Sequence, residues 1–142
     1  MSTRQMIPVA GLFATVAVAA YMVVQLRAQA TSPTGDFSNA AVAEVRDAQG
    51  QVVLRGQFVQ IEEDDDDTER KATLEPTGVD ADATGTAEVE FSKTAPADQE
   101  IEFSIRNVQP GAAFTFVIDG KDVAMATADG RGRAEVERAL PR

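Results

Sequence analysis

The chain has 142 residues, with 13 lysines and arginines against 23 aspartates and glutamates, a net charge of −10 at neutral pH, and neither cysteine nor histidine. A surface that acidic repels phosphate backbones, which excludes nucleic-acid binding, and it disfavours adhesion to anionic lipid heads. Without cysteine there is no thiolate nucleophile, disulfide, zinc–thiolate or iron–sulfur site, and without histidine the commonest general base near neutral pH and the commonest transition-metal ligand are missing.

Residues 1–30 read as an export signal. Arg4 lies in a short polar start, an uncharged apolar run extends from Ile7 to Val24, and Arg27 precedes Ala28-Gln29-Ala30. A charged start, an apolar middle and small residues at the third and first positions before a cut form the signal-peptide layout, with Ala28 and Ala30 as the recognised pair and cleavage after Ala30. The rival reading is an uncleaved membrane anchor through residues 7–24, since an apolar run of that length is at the low edge of what spans a bilayer. Arg4 and Arg27 are the only charged residues in this stretch, so its removal takes 13 basic residues to 11 against 23 acidic ones and the net charge to −12. Residues 31–142 are long enough to build one core without covalent staples.

Residues 31–40 (TSPTGDFSNA) are rich in turn formers and read as a flexible lead-in, with Phe37 the one large apolar residue able to tuck onto the domain behind it. From residue 41 short alternating runs are separated by turn signals. Residues 41–46 predict a strand and residues 47–50 a turn with Gly50 at positive φ. Residues 51–61 predict a second, longer strand with a bulge at Gly56, and residues 70–75 a third. In residues 86–92, Ala87, Val89 and Phe91 alternate with Glu88 and Glu90; in residues 99–108, Ile101, Phe103 and Ile105 alternate with Glu100, Glu102, Ser104 and Arg106. Residues 113–118 and 122–128 around Asp119-Gly120 predict a hairpin, and residues 133–138 a last strand. No run after residue 30 has helical periodicity. The expected fold is all-β: an antiparallel sandwich of about seven to eight strands over residues 41–142, preceded by the signal helix. The expected core is Val45, Val52, Leu54, Phe58, Leu74, Val89, Phe91, Ile101, Phe103, Ile105, Phe114, Phe116, Ile118, Val123 and Val136.

A faint internal echo links Gly85-Thr86-Ala87-Glu88-Val89-Glu90 with Gly132-Arg133-Ala134-Glu135-Val136-Glu137, each preceded by a hairpin-like segment, residues 45–52 and 117–123. Two explanations fit: pseudo-equivalent halves packed face to face, or coincidence among short hairpins. The segment Phe114-Thr115-Phe116-Val117-Ile118-Asp119-Gly120-Lys121-Asp122-Val123, with the turn Asp129-Gly130-Arg131-Gly132, resembles the final hairpin of bacterial immunoglobulin-like surface modules. The resemblance covers those two segments alone and implies a fold rather than a chemistry. The cysteine pair and core tryptophan of antibody-type domains are absent, so no binding residues carry over.

Few constellations carry chemistry. The run Glu62-Glu63-Asp64-Asp65-Asp66-Asp67-Thr68-Glu69 has the carboxylates a hard cation such as calcium wants, but an unbroken acidic run reads first as a solvated, self-repelling loop. Asp80-Ala81-Asp82-Ala83-Thr84-Gly85 copies the start of a calcium loop; its twelfth position is Phe91 instead of the bidentate glutamate, so an ordinary polar turn is expected. The weak calcium candidates are therefore Asp64, Asp65, Asp66, Asp67, Asp80 and Asp82. Glu88, Glu90, Glu100, Glu102, Glu135 and Glu137 point away from the predicted core and could supply a carboxylate pair for hydrolysis, although solubility explains them more simply. No serine sits in a G-x-S-x-G turn and no glycine-rich phosphate loop is present. The expected function is non-catalytic, without catalytic or cofactor-binding residues: an exported structural or protein-interaction module of the periplasm, cell surface or extracellular space, whose acidic loop favours a basic protein partner. A calcium-responsive module and a carboxylate hydrolase are the alternatives.

Overall fold

The computed structural model describes residues 33–63, 65–95 and 98–141. The predicted signal helix or anchor, with Ala28 and Ala30, lies outside the described residues. Among the described residues there is no helix, and nine strands occur: β1 (Val42–Arg46), β2 (Val52–Gln57), β3 (Val59–Glu63), β4 (Asp67–Pro76), β5 (Thr84–Ser92), β6 (Asp98–Arg106), β7 (Ala113–Ile118), β8 (Lys121–Thr127) and β9 (Arg133–Pro141). They form one antiparallel sheet in the order β8-β7-β1-β2-β4-β5-β6-β9, with β3 attached to β4 off this path. The sheet curls until its two ends approach: Arg138 on β9 donates from Nη1 to the Val123 carbonyl on β8 at 3.3 Å. The result is a nearly closed, barrel-like sheet.

The turns follow the sequence. Asp47 Oδ1 accepts from the backbone N–H groups of Gln49 and Gln51 at 2.9 and 2.8 Å, and Gly50 closes the turn at φ 80°. Asp129 repeats the device with Arg131 and Arg133 at 2.8 and 3.0 Å. Asp119 and Gly120, at φ 48° and 79°, make the two-residue hairpin of mirror-image turn type that their sequence demands. The Asp119 carboxylate also accepts from the Ala41 and Val42 N–H groups and so fastens the start of β1 to the β7–β8 turn.

The predicted strand over residues 51–61 is two strands with a corner between them. β2 lies between β1 and β4, pairing with β1 as far as Gln57 and with β4 at Leu54 and Arg55, and after the break at Phe58 the chain continues as β3, which pairs with β4 alone. No bulge falls at Gly56; the glycine is there because the Thr73 backbone passes too close to allow a side chain. The bulge lies earlier, where Val45 pairs with Leu54 and Arg46 with Val52. The extra residue, Val53, turns into the core at 3% exposure, and Val52, expected inside, is only half-buried. Phe91 and Val136 are partly buried against the core, and the other predicted core residues are buried. Phe103 of β6 and Phe116 of β7 meet at the centre with ring centroids 4.9 Å apart.

The echoed segments are not facing halves. β5 and β9 both flank β6, and the β1–β2 and β7–β8 hairpins are neighbours through β1 and β7 in the same sheet. The lead-in is fastened to the barrel: Phe37 is 2% exposed, its N–H donates to Gln99 Oε1 at 3.0 Å, and Gln99 Nε2 donates to the Gly35 carbonyl.

Candidate functional site

The acidic run does not form a free loop. Glu62 stands across from Glu69 and Glu63 across from Thr68, so most of the run is the end of β3 and the beginning of β4. Thr68, inside the run, is 6% exposed and gives this end of β4 its inward anchor. Asp65 and Asp66 occupy the turn, Asp67 opens β4 opposite Ser92, and Asp64 lies outside the described residues. Asp80 and Asp82 sit beyond the other end of β4, about 30 Å away at the rise of an extended strand. There Asp80 Oδ1 accepts from the Asp82 N–H at 3.3 Å, the polar turn that the missing twelfth ligand implied. The two groups of calcium candidates therefore cannot combine. Among the described residues no three or more acidic side chains are arranged to hold a metal ion.

The glutamates on β5, β6 and β9 have a different fate. Strand register places Glu69, Glu90 and Glu100 side by side on β4, β5 and β6, and Glu88, Glu102 and Glu137 side by side on β5, β6 and β9. Glu135 follows two positions further along β9, across from Ser104. All seven lie on the outer face, because the residues between them (Val89, Ile101, Phe103) are fully buried inside. Directly opposed like charges destabilise a sheet by roughly 0.2 to 1 kcal/mol per pair. Lys71 on β4 stands across from Glu88 and forms an ion pair with it, which relieves part of this repulsion. Five of these carboxylates, on Glu69, Glu88, Glu90, Glu100 and Glu102, ring a shallow depression of about 80 Å³.

The electrostatics follow from this crowding. Desolvation, and then the carboxylates of Glu88, Glu137 and Glu135, push the Glu102 carboxyl above its ordinary value, against a smaller pull from Lys71. The hydrogen bond to Glu88 raises the Lys71 ammonium above its ordinary value, with Glu69 and Glu102 adding to the effect and desolvation opposing it. The face is also polarised: beyond Ser104 it ends in Arg106 and Arg133, opposite one another on β6 and β9.

The outer surface of β1 and β2 is organised otherwise. Glu44 there is paired with Arg46 at 2.7 Å and with Arg55 at 3.6 Å. One side of the barrel carries balanced charge and the other a field of carboxylate.

No protein-family model, curated protein or solved structure matches this chain. The site is therefore read from its own residues. Sequence alternation identified six of the seven glutamates. It missed Glu69, because the acidic run looked too polar to be a strand, and it missed the relation among the strands that makes the glutamates one surface. The available signal was the shared phase of Glu88-x-Glu90 and Glu100-x-Glu102 on two successive strands.

Proposed function

We propose that this chain is an exported, non-catalytic interaction module that docks a basic protein partner on the acidic outer face of β4, β5, β6 and β9. The observation that carries the reading is the register that lines up Glu69, Glu90 and Glu100 beside Glu88, Glu102 and Glu137. Solubility requires charge, but it does not require like charges placed directly opposite at a cost to stability. A partner surface of lysine and arginine removes that cost when it binds, and the opposed fields speed the encounter. The paired charges around Glu44 make the other side a poor competitor for the same partner.

Two finer points belong to the same proposal. Export to the periplasm, cell surface or extracellular space rests on the pattern of residues 1–30. A two-layer, immunoglobulin-like packing is supported by the contact of Phe103 with Phe116 across the interior.

Photo-crosslinking in the native host tests the docking. Benzoylphenylalanine replaces Thr86, which lies on the acidic face, or Thr115, on the outer side of β7. The expected result is a crosslinked protein from position 86 and none from 115, with the captured peptide rich in lysine and arginine. Crosslinks from 115 alone, or captured peptides without basic residues, would overturn it. N-terminal sequencing of the same product should begin at Thr31; a start at Met1 or Ser2 would remove cleavage from the proposal.

A further inference from the structure

One end of the acidic face runs into a cleft of about 560 Å³, bounded by the start of β4, the end of β5, the start of β6 and the end of β9. Its lining divides by chemistry. Asp67, Glu90, Asp98 and Glu100 contribute carboxylates, Phe91, Ala139 and Pro141 contribute apolar surface, and among the described residues no lysine or arginine lines it. Ala139 and Pro141 are exposed across from Glu100 and Asp98, so they give the cleft an apolar floor on the same face as the exposed carboxylates of its rim, while Leu140, 2% exposed, and the half-buried Phe91 pack toward the core behind it. Gln99, also in the lining, is 4% exposed and bonded to the Phe37 N–H, which holds the floor in place before any ligand arrives.

We propose that this cleft seats a lysine or arginine side chain carried on an extended segment of a protein partner. The proposal rests on the reading that the acidic face docks a basic protein, and it names where and how the segment is anchored. A hard metal ion gains nothing from Ala139 and Pro141 and needs a cage of oxygens, whereas a lysine or arginine side chain has both parts the cleft calls for. Its aliphatic stem covers the apolar floor and its charged head meets the carboxylate rim.

The surroundings of the cleft favour a polypeptide over a free polyamine. The cleft shares Glu90 and Glu100 with the glutamate rows, and the row of Glu88 and Glu102 lies two positions further along the same strands. Two steps of extended chain advance about 6.7 Å, the repeat of the rows themselves. A segment with basic residues at every second position, lying along β5 and β6, therefore sets one cation in the cleft and the next over Glu88 and Glu102.

The test titrates the protein purified from the exporting host with a labelled hexapeptide alternating lysine and serine. Its comparisons are the block peptide Lys-Lys-Lys-Ser-Ser-Ser and spermidine. Tight, salt-sensitive binding of the alternating peptide is expected, with the block peptide and spermidine weaker. The double variant Asp98→Asn, Glu100→Gln should weaken the alternating peptide by about tenfold through loss of charge-assisted contacts. A circular-dichroism spectrum that matches the parent, with a cooperative melt no lower than the parent's, confirms that each variant is folded. If Glu88→Gln with Glu102→Gln weakens binding while the cleft variant does not, the anchor is wrong and the docking face stands. Spermidine binding as tightly as the alternating peptide overturns the polypeptide assignment. If neither basic peptide binds, both the anchor and the docking face fall.

Discussion

Gly56 on β2 lies so close to Thr73 on β4 that a Cβ built on it would stand 2.2 Å from the Thr73 carbonyl oxygen. The obstacle is backbone and cannot rotate away. This close approach lets one run of chain stay beside β4 from β2 into β3 while only β2 also pairs with β1. Gly56→Ala should therefore destabilise the protein by about 2 to 3 kcal/mol, the range of overpacking at a site that cannot relax. Urea denaturation measures it; an unchanged unfolding midpoint would mean that the corner has room to open.

The lead-in before β1 contributes to the fold through Phe37. Its ring is buried at one end of the barrel, with Lys121 Nζ 5.8 Å from the ring centroid. Phe37→Ala should cost about 3 kcal/mol, as expected for truncating a buried aromatic. Thermal denaturation of the variant should show a melting temperature lower by roughly 10 °C or more, at about 4 to 8 °C per kcal/mol for a domain of this size. An unchanged melting temperature would show that the segment is dispensable.

Much of this architecture was legible before the fold was known, and its limits are physical. Alternation with period two identified β5, β6 and β9, because a sheet with one wet face writes its inside and outside into successive residues. The turns at Asp47, Asp119 and Asp129 were legible because positive φ demands glycine and a carboxylate caps its own turn. Val53 was not, because a bulge shifts the phase by one residue and leaves no mark in composition. The strand character of residues 67–69 was hidden by their polarity, and only the pairing with β3 and β5 imposes it. The acidic face belongs to the same class. Each glutamate was visible alone, but their alignment depends on register, which no local pattern fixes.

Lys71 feels the carboxylates of Glu88, Glu69 and Glu102 on that face. Its ion pair with Glu88 should be worth about 0.5 kcal/mol at this partial exposure. Its raised value in the folded protein means that the contribution is complete at neutral pH. It is lost as the pH rises beyond the ordinary lysine range and through the raised value. Lys71→Met keeps the apolar stem and should lower stability at pH 7 by about 0.5 to 1 kcal/mol. The deficit should shrink in concentrated salt, where the remaining repulsion is screened. Chemical denaturation at low and high salt reads both; a deficit that salt leaves unchanged would assign the loss to packing.

Glu102 has the opposite effect on stability. Its carboxyl is raised, so the folded protein holds a proton over a pH range where the unfolded chain has released it. Stability from that proton is complete below the ordinary carboxylate value and is lost as the pH rises through the raised value. At pH 7 the ionised group therefore leaves the protein less stable than a neutral one would. Glu102→Gln should stabilise the protein at pH 7 by about 0.5 kcal/mol, the size of a solvent-screened cross-strand repulsion. The gain should disappear near pH 3, where glutamate and glutamine are both uncharged. The same substitution should weaken a basic ligand at pH 7, because the repulsion that destabilises the free protein is what a cationic partner relieves. Parallel melts at pH 7 and pH 3, with and without the alternating lysine–serine peptide, measure both effects. A variant that is more stable at pH 7 yet binds the peptide as well as the parent would separate the two and sever the link between the crowded glutamates and docking.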